Sequence, residues 1–381
     1  MQVNNFIAMQ SVLPRGSTYL QTDSCVSGWH RCTRLQLPTP LRLVAVSQLY
    51  VNVPRGIRSA AMSDSQLCYF DGKKDFILGR PSDAAAAVLR ELQPSMVLFS
   101  HDGLDGGSGV ALDANHVVTD MHVGLIGRHL QVLTPSGRKL DGYLERLDVI
   151  RDLAIVKVRG LAESGIEPAK IVEDDRNLSG KSDFSIGSPV TESPSKAFDC
   201  VSEGKTQEVT SLYDFLDNQS RGWAGWLKFL VPSRTPGHFE AYTSFMSKGF
   251  GPAAAGFVEQ NPEKFDKVAQ QWFSLPRIRS SGFVSNGQSG GALATDSGVT
   301  RILQFGLDDY PAASFSMPAK DVVTLANSPS RFSFRYDRLH GLQKVEAVDP
   351  RDPSAVAEAQ LANIIAEQGE EDIVRVKRNQ K

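Results

Sequence analysis

The stretch GSGVALDANHVVTDMHV (107–123) holds two apolar runs on either side of Asp113-Ala114-Asn115. Aspartate and asparagine tolerate the backbone angles of tight turns, so it reads as a strand, a hairpin turn and a second strand. The same texture extends outward. SMVLFS (95–100), LQVLTP (130–135), GYLERL (142–147) and LAIVKV (153–158) are short alternating or apolar runs broken by turn residues. Their spacing of about 8 to 12 residues is the signature of an all-β barrel or sandwich. A second series follows in AKIVED (169–174), DFSIGSPV (183–190), KAFDCVSEGKTQEVTSLY (196–213), LPRIRSSGFV (275–284), GGALATD (290–296), TRILQFGL (300–307) and ASFSMP (313–318). Two β modules joined near residues 159–168 are expected.

Residues 214–274 interrupt the second module. They hold 12 of the 31 aromatic residues in 61 positions, and PEKFDKVAQQWF (262–273) opens with Pro262 behind Asn261, a helix start. This reads as a partly helical, aromatic-rich insertion. Trp223, Trp226, Phe229, Phe239, Tyr242, Phe245 and Phe250 make it either a lid or partner-docking surface, or a small core of its own. Toward the C-terminus, Asp352-Pro353 begins a helical pattern with Val356, Leu361, Ile364 and Ile365 on one side, so 336–381 reads as a helical tail.

The beginning of the chain differs. Residues 1–63 contain six Arg, no Lys, one acid (Asp23) and eleven Ser or Thr. That composition suits an organelle transit peptide, an export signal with LVAVSQLYV (43–51) as its apolar part, or sequence ahead of a true start at Met62. Residues 1–90 are therefore set apart as a targeting or poorly ordered segment, leaving 91–335 as the folded domain. An extracytoplasmic location, periplasmic or secreted, is expected, with organelle import and the cytoplasm as alternatives.

Composition narrows the function classes. The 381 residues allow two or three domains with a real core, and 41% apolar with 22% charged residues is globular usage. Lys plus Arg (41) nearly balances Asp plus Glu (43), with no long basic run, so nucleic acid is not the expected partner. No stretch approaches 18 uncharged apolar residues, which argues against a membrane-spanning helix. Cys25, Cys32, Cys68 and Cys200 lack metal-like spacing and are expected to be free thiols, with no metal and no cofactor.

Three segments carry chemistry together: GSGVALDANHVVTDMHV, RDLAIVKV (151–158) and NGQSGGAL (286–293). A serine hydroxyl becomes a nucleophile when a base takes its proton, and neutral imidazole is suited to that task. His122 fits the base and Ser289 the nucleophile. A carboxylate on the far ring nitrogen fixes the tautomer, a role for Asp152, with Asp148 and Asp120 as weaker candidates. Backbone N–H groups of Gly287 and Ser289 would receive the oxyanion.

These segments resemble the His, Asp and Ser motifs of trypsin-like serine proteases of the chymotrypsin fold, and are most similar to the HtrA or Deg branch. FSMPAKDVVTL (315–325) is similar to the strand-to-helix exit of such domains, so the resemblance spans about residues 95–328. It implies two antiparallel six-stranded β-barrels, with the insertion and a C-terminal helix added. It also implies a serine endopeptidase acting on protein or peptide substrates, with a role in protein quality control and no cofactor. No PDZ domain is recognisable, and a homo-oligomer is left open. Gln288 stands where the family usually has Asp or Asn, Ala292 where it often has Pro, and Asp120 where a small or amide residue is usual. By resemblance Phe283, six positions before the nucleophile, lies near the base of the primary specificity pocket, which points to cleavage after small or medium apolar residues.

Two rivals remain. GQSGG also satisfies the nucleophile elbow of α/β-hydrolases, with Asp308 or Asp321 and His340 completing the set. An elbow needs a helix directly after the serine, whereas Gly290-Gly291 leads into another β pattern. The other rival is a binding protein that keeps a protease fold without catalysis.

Overall fold

The computed structural model describes residues 43–44, 67–72, 76–101, 104–173, 178–189, 199–215, 238–307, 310–338 and 341–379. Strand β1 (Leu43–Val44), the hairpin β2 (Leu67–Phe70) and β3 (Phe76–Gly79), and helix α1 (Asp83–Leu92) precede two closed antiparallel six-stranded barrels. The first contains β4 (Met96–His101), β5 (Leu104–Ala111), β6 (His116–Thr119), the single helical turn α2 (Met121–Gly124), β7 (Leu130–Leu133), β8 (Lys139–Asp148) and β9 (Leu153–Val158). Its strands run in the order β4-β5-β6-β9-β8-β7, and β7 returns to β4. Val97, Phe99, Val117, Val132, Leu144 and Val156 are buried together in its core. Burying each such side chain contributes about 1.5–3 kcal/mol, and β-branched residues suit the pleated surface that presents them.

The second barrel is made of β10 (Ser182–Gly187), β11 (Cys200–Ser211), β12 (Pro276–Ser280), β13 (Ala292–Thr295), β14 (Gly298–Leu307) and β15 (Tyr310–Pro318). Its order is β10-β13-β14-β15-β12-β11, and the pairing of β10 with β11 closes it. Ile186, Val201, Ala292, Val299, Ile302 and Met317 fill it. Buried Asp183 accepts hydrogen bonds from Ser280 Oγ (2.6 Å) and Thr206 Oγ1 (2.9 Å) and faces Arg301 Nη1 at 3.8 Å.

The insertion stands between paired strands. Ser211 of β11 lies opposite Pro276 of β12, so the chain leaves and re-enters the barrel at neighbouring positions. Helices α3 (His238–Phe250), α4 (Pro252–Gln260) and α5 (Pro262–Ser274) fill the described part, and α5 starts at Pro262 behind Asn261. Trp223, Trp226 and Phe229 lie outside the described residues. After α6 (Ala319–Asn327), a hairpin of β16 (Phe332–Asp337) and β17 (Gly341–Ala347) leads to α7 (Pro353–Asn379). Asp352 caps α7 by accepting from the amides of Ser354 (3.0 Å) and Ala355 (3.1 Å). Glu358, fully buried, receives the Arg331 guanidinium at 3.1 Å. Among the described residues no helix is long and apolar enough to cross a membrane.

Two readings change. Residues 67–90, set ahead of the folded domain, contribute two strands and most of a helix to the second barrel's sheet and core, and Leu43–Val44 pairs with β14. The expectation of four free thiols is corrected, because Cys68 and Cys200 form a disulfide. The physical reason is register. β2 runs parallel to β11 with Cys68 opposite Cys200, which brings their Cα atoms to 4.6 Å, inside the range a disulfide spans. Cys25 and Cys32 lie outside the described residues.

Candidate active site

β6 and β9 are hydrogen-bonded neighbours, with Thr119 opposite Ala154. Their apolar runs therefore end side by side and carry His122, in α2, and Asp152, in the turn before β9, to one end of the first barrel. His122 Nδ1 lies 2.8 Å from Asp152 Oδ2, and the His122 amide donates to Asp152 Oδ1 at 3.1 Å. The Met121 amide donates to the Asp152 backbone carbonyl at 3.1 Å. Asp152 has φ +52°, making it the only non-glycine residue at positive φ among those described. Such a conformation costs about 1–3 kcal/mol and persists only where its surroundings enforce it. Three hydrogen bonds do so here.

Ser289 arrives from the second barrel on the turn between β12 and β13. The Ser108 amide donates to the Ser289 carbonyl at 2.8 Å. A Cβ on Gly290 would meet Thr119 Oγ1 at 2.1 Å and the Asp120 amide at 3.0 Å, so this turn lies directly against the chain leading into His122. The Ser289 hydroxyl donates to the Gln304 carbonyl at 2.8 Å, while His122 Nε2 has no partner. Among the described residues the amides of Gly287 and Ser289 find no acceptor. His122, Asp152 and Ser289 are only 2–3% exposed.

Around this group stand residues that sequence reasoning missed. Gln304 Nε2 donates to the Arg151 carbonyl (2.6 Å) and Gln304 Oε1 accepts from Arg277 Nε (3.0 Å). Arg277 is fully buried, donates from Nη1 to the Trp272 carbonyl (2.7 Å), and lies over the rings of Trp272 (4.5 Å) and Phe305 (5.6 Å). Burial pulls its guanidinium down to about 10, against the opposing pull of the Asp152 charge. An arginine inside a strand motif gives no local sign of such a site. Phe250, from α3, presents an edge to the His122 ring at 6.1 Å. It packs on Phe245 (5.7 Å), which packs on Trp272 (4.4 Å), so the insertion closes over the histidine.

Asp120 ends 3.9 Å from His122 Nε2 and is fully buried, with the Gly290 amide beside its carboxylate. Burial first, and then the Asp152 charge, raise its carboxyl well above the ordinary range. Asp120, His122 and Asp152 offer ligand atoms within 4.8 Å of one another. Asp152 meets the ring at Nδ1 and Asp120 is near Nε2, so the imidazole stands between the two carboxylates, a poor arrangement for three ligands on one ion. Asp148 is committed to Arg151 at 2.9 Å, as is Asp321 at 3.1 Å. Asp308 and His340 lie outside the described residues, and Ser289 leads into strand β13 rather than a helix.

Phe283 is stacked on Phe70 at 4.2 Å beside Phe76 and the Cys68–Cys200 bridge, and its amide donates to Ser202 Oγ at 3.0 Å. The next residue, Val284, faces Gly306, where an added Cβ would meet Val284 Cγ2 at 3.0 Å.

A family model, the trypsin-like peptidase domain, matches residues 98–300. No curated protein matches the chain. Among solved structures, the active form of the Rv3671c protease from M. tuberculosis is similar at 14% identity, covering 64% of this chain and 85% of that one, with a TM-score of 0.43. The serine endoprotease from Yersinia pestis is similar at 14% identity, covering 68% of this chain and 72% of that one, with a TM-score of 0.42. With the family model spanning more than half its length, the chain belongs to the trypsin-like peptidase domain family and is a serine protease.

Proposed function

We propose that this protease is an endopeptidase that cleaves peptide bonds through an acyl-enzyme, with Ser289 as nucleophile, His122 as its base and Asp152 as the group that orients the base. The observation that carries the reading is the 2.8 Å contact between His122 Nδ1 and Asp152, with the Ser289 turn docked on the adjoining strand end. A proton on Nδ1, held by Asp152, leaves Nε2 with the lone pair that a base needs. The Ser289 hydroxyl turns from Gln304 to Nε2, gives up its proton and attacks the peptide carbonyl. The Gly287 and Ser289 amides receive the oxyanion. The imidazolium then protonates the leaving amine as the C–N bond breaks. Water, deprotonated by the same nitrogen, releases the acid and restores the serine.

Phe283, fixed in its aromatic stack, and Val284 beside Gly306 support an uncharged primary pocket and cleavage after small or medium apolar residues. A quality-control role rests on the HtrA/Deg resemblance alone. The edge of Phe250 on His122 supports α3 and α4 as a cap that moves before substrate enters. A fluorophosphonate probe followed by peptide mapping tests the core of the proposal. Label on Ser289 that is lost in His122→Ala is expected; an unlabelled Ser289 in wild type would refute it and favour the non-catalytic binding protein.

A further inference from the structure

Ser108 belongs to the first barrel, yet it bonds both ends of a short segment in the second. Its amide donates to the Ser289 carbonyl (2.8 Å) and its hydroxyl donates to the Gly287 carbonyl (2.7 Å). The Ser108 oxygen also accepts from the Ser188 amide at 2.9 Å, so the hydroxyl has both a donor and an acceptor role filled and no rotation left to it. Behind it, the Ser188 hydroxyl donates to Asp199 Oδ1 at 3.2 Å. On the other side Thr119 Oγ1 donates to the Ser108 carbonyl at 2.7 Å. Ser108, Thr119, Ser188 and Asp199 are all at most 3% exposed.

The segment so held needs holding. Gly287 has φ +90°, a conformation open chiefly to glycine, and glycine is the residue with most backbone freedom. Rotation of its peptide would re-aim the amides on either side. Donors stabilise a developing oxyanion best when they are fixed in place beforehand, because no reorganisation is then spent during the reaction. With the Gly287 and Ser289 carbonyls both tied to Ser108, the peptide that carries the Ser289 amide is held from both ends, and the Gly287 amide is held from one side through its own residue's carbonyl.

We propose that Ser108 is a positioning residue for peptide hydrolysis, whose hydroxyl, anchored through Ser188 to buried Asp199, fixes the Gly287–Ser289 segment so that its amides are aimed before the oxyanion forms. The inference rests on Ser289 being the nucleophile. It goes further in assigning the first barrel a direct part in shaping the second barrel's half of the site.

Ser108→Ala removes the hydroxyl and keeps the amide bond to Ser289. Its kcat on a short peptide is expected to fall at least about tenfold, less than the roughly hundred- to thousandfold that loss of an oxyanion donor costs, with KM within about twofold. Affinity for a peptide boronic acid, whose tetrahedral adduct mimics the intermediate, should fall by the same factor. Binding of the uncleaved peptide to a Ser108→Ala/Ser289→Ala double variant should match Ser289→Ala alone. A purely structural role would lower Tm and leave kcat and boronate affinity at wild-type values, and that result overturns the proposal. Should Ser108→Ala fail to fold, Ser188→Ala decides: it keeps the Ser108 hydroxyl and cuts only the tie to Asp199. A KM-neutral loss of about two- to fivefold in kcat supports the proposal, and a wild-type kcat overturns it. Wild type that labels at Ser289 while Ser108→Ala turns over normally sinks this inference alone, whereas wild type that does not label sinks the nucleophile assignment and this inference with it.

Discussion

The Ser289 hydroxyl donates a hydrogen bond to the Gln304 carbonyl while His122 Nε2 stands unpartnered, so the proposed mechanism requires the hydroxyl to leave Gln304 for the histidine. In the proposed mechanism serine and histidine act through one proton, so losing either would lose the step. Ser289→Ala and His122→Ala are each expected to lower kcat by about four orders of magnitude or more, and the double variant by little more. Losses that multiply in the double variant would contradict the assignment. The buried acids make a separate statement about pH. Burial pushes the Asp199 carboxyl from 3.8 up to about 8, with the Ser188 hydrogen bond opposing it. A folded-state value above the unfolded one favours folding most at pH below about 4, and that contribution is lost as pH rises through about 8. Asp199→Asn keeps an acceptor for Ser188 and carries no charge. Its Tm relative to wild type should therefore climb from pH 4 to about pH 8 and level off above it, and a difference independent of pH would show that Asp199 does not titrate in this way. Asp120, raised in the same direction, remains in both proteins and drops out of the comparison.

At the scale of elements, the Cys68–Cys200 bridge ties the β2–β3 hairpin to β11 and backs the Phe70–Phe283 stack. It closes 132 residues of chain, so its removal should act largely by freeing the unfolded state. The Cys68→Ala/Cys200→Ala protein is expected to be less stable by about 2–4 kcal/mol in denaturant unfolding. A change under about 0.5 kcal/mol would mean that the sheet pairing alone holds the hairpin. What was legible in the sequence follows the same division between local and distant. The strands carrying His122 and Asp152 could be read because alternation and the Asp113-Ala114-Asn115 turn are local signals. The starts of α5 at Pro262 and of α7 at Asp352-Pro353 were legible for the same reason. The β2–β3 hairpin was not, since LCYF and FILG are too short to stand out and acquire their meaning only beside Cys200. Arg277 was equally hidden: its neighbours Trp272 and Phe305 come from an inserted helix and a later strand, and no period in the sequence joins them.

For the whole molecule, the buried site has an outer support. Helices α4 and α5 pack on α7, and α7 in turn rests on residues 126–128, just beyond the turn that bears His122. Arg128 faces Glu367 at 3.9 Å, and its amide donates to Glu370 Oε2 at 3.4 Å. At Gly369 the helix touches this loop so closely that an added Cβ would lie 1.7 Å from the Ile126 carbonyl oxygen. Gly369→Ala is therefore a wedge. Alanine favours a helix over glycine by about 1 kcal/mol, but overpacking against backbone costs about 1–3 kcal/mol, so α7 should stay helical and shift off the loop. A cap braced by α7 then loosens, and Ser289 should react with a small fluorophosphonate several-fold faster than in wild type even as Tm falls. Phe250→Ala removes the ring from His122 and should speed labelling as well. The alternative, in which the insertion is only a small core of its own, predicts a lower Tm in both variants with labelling no faster than wild type. Labelling rate and Tm moving in opposite directions in both variants would identify the insertion as a gate, because damage to a core lowers stability without opening a site.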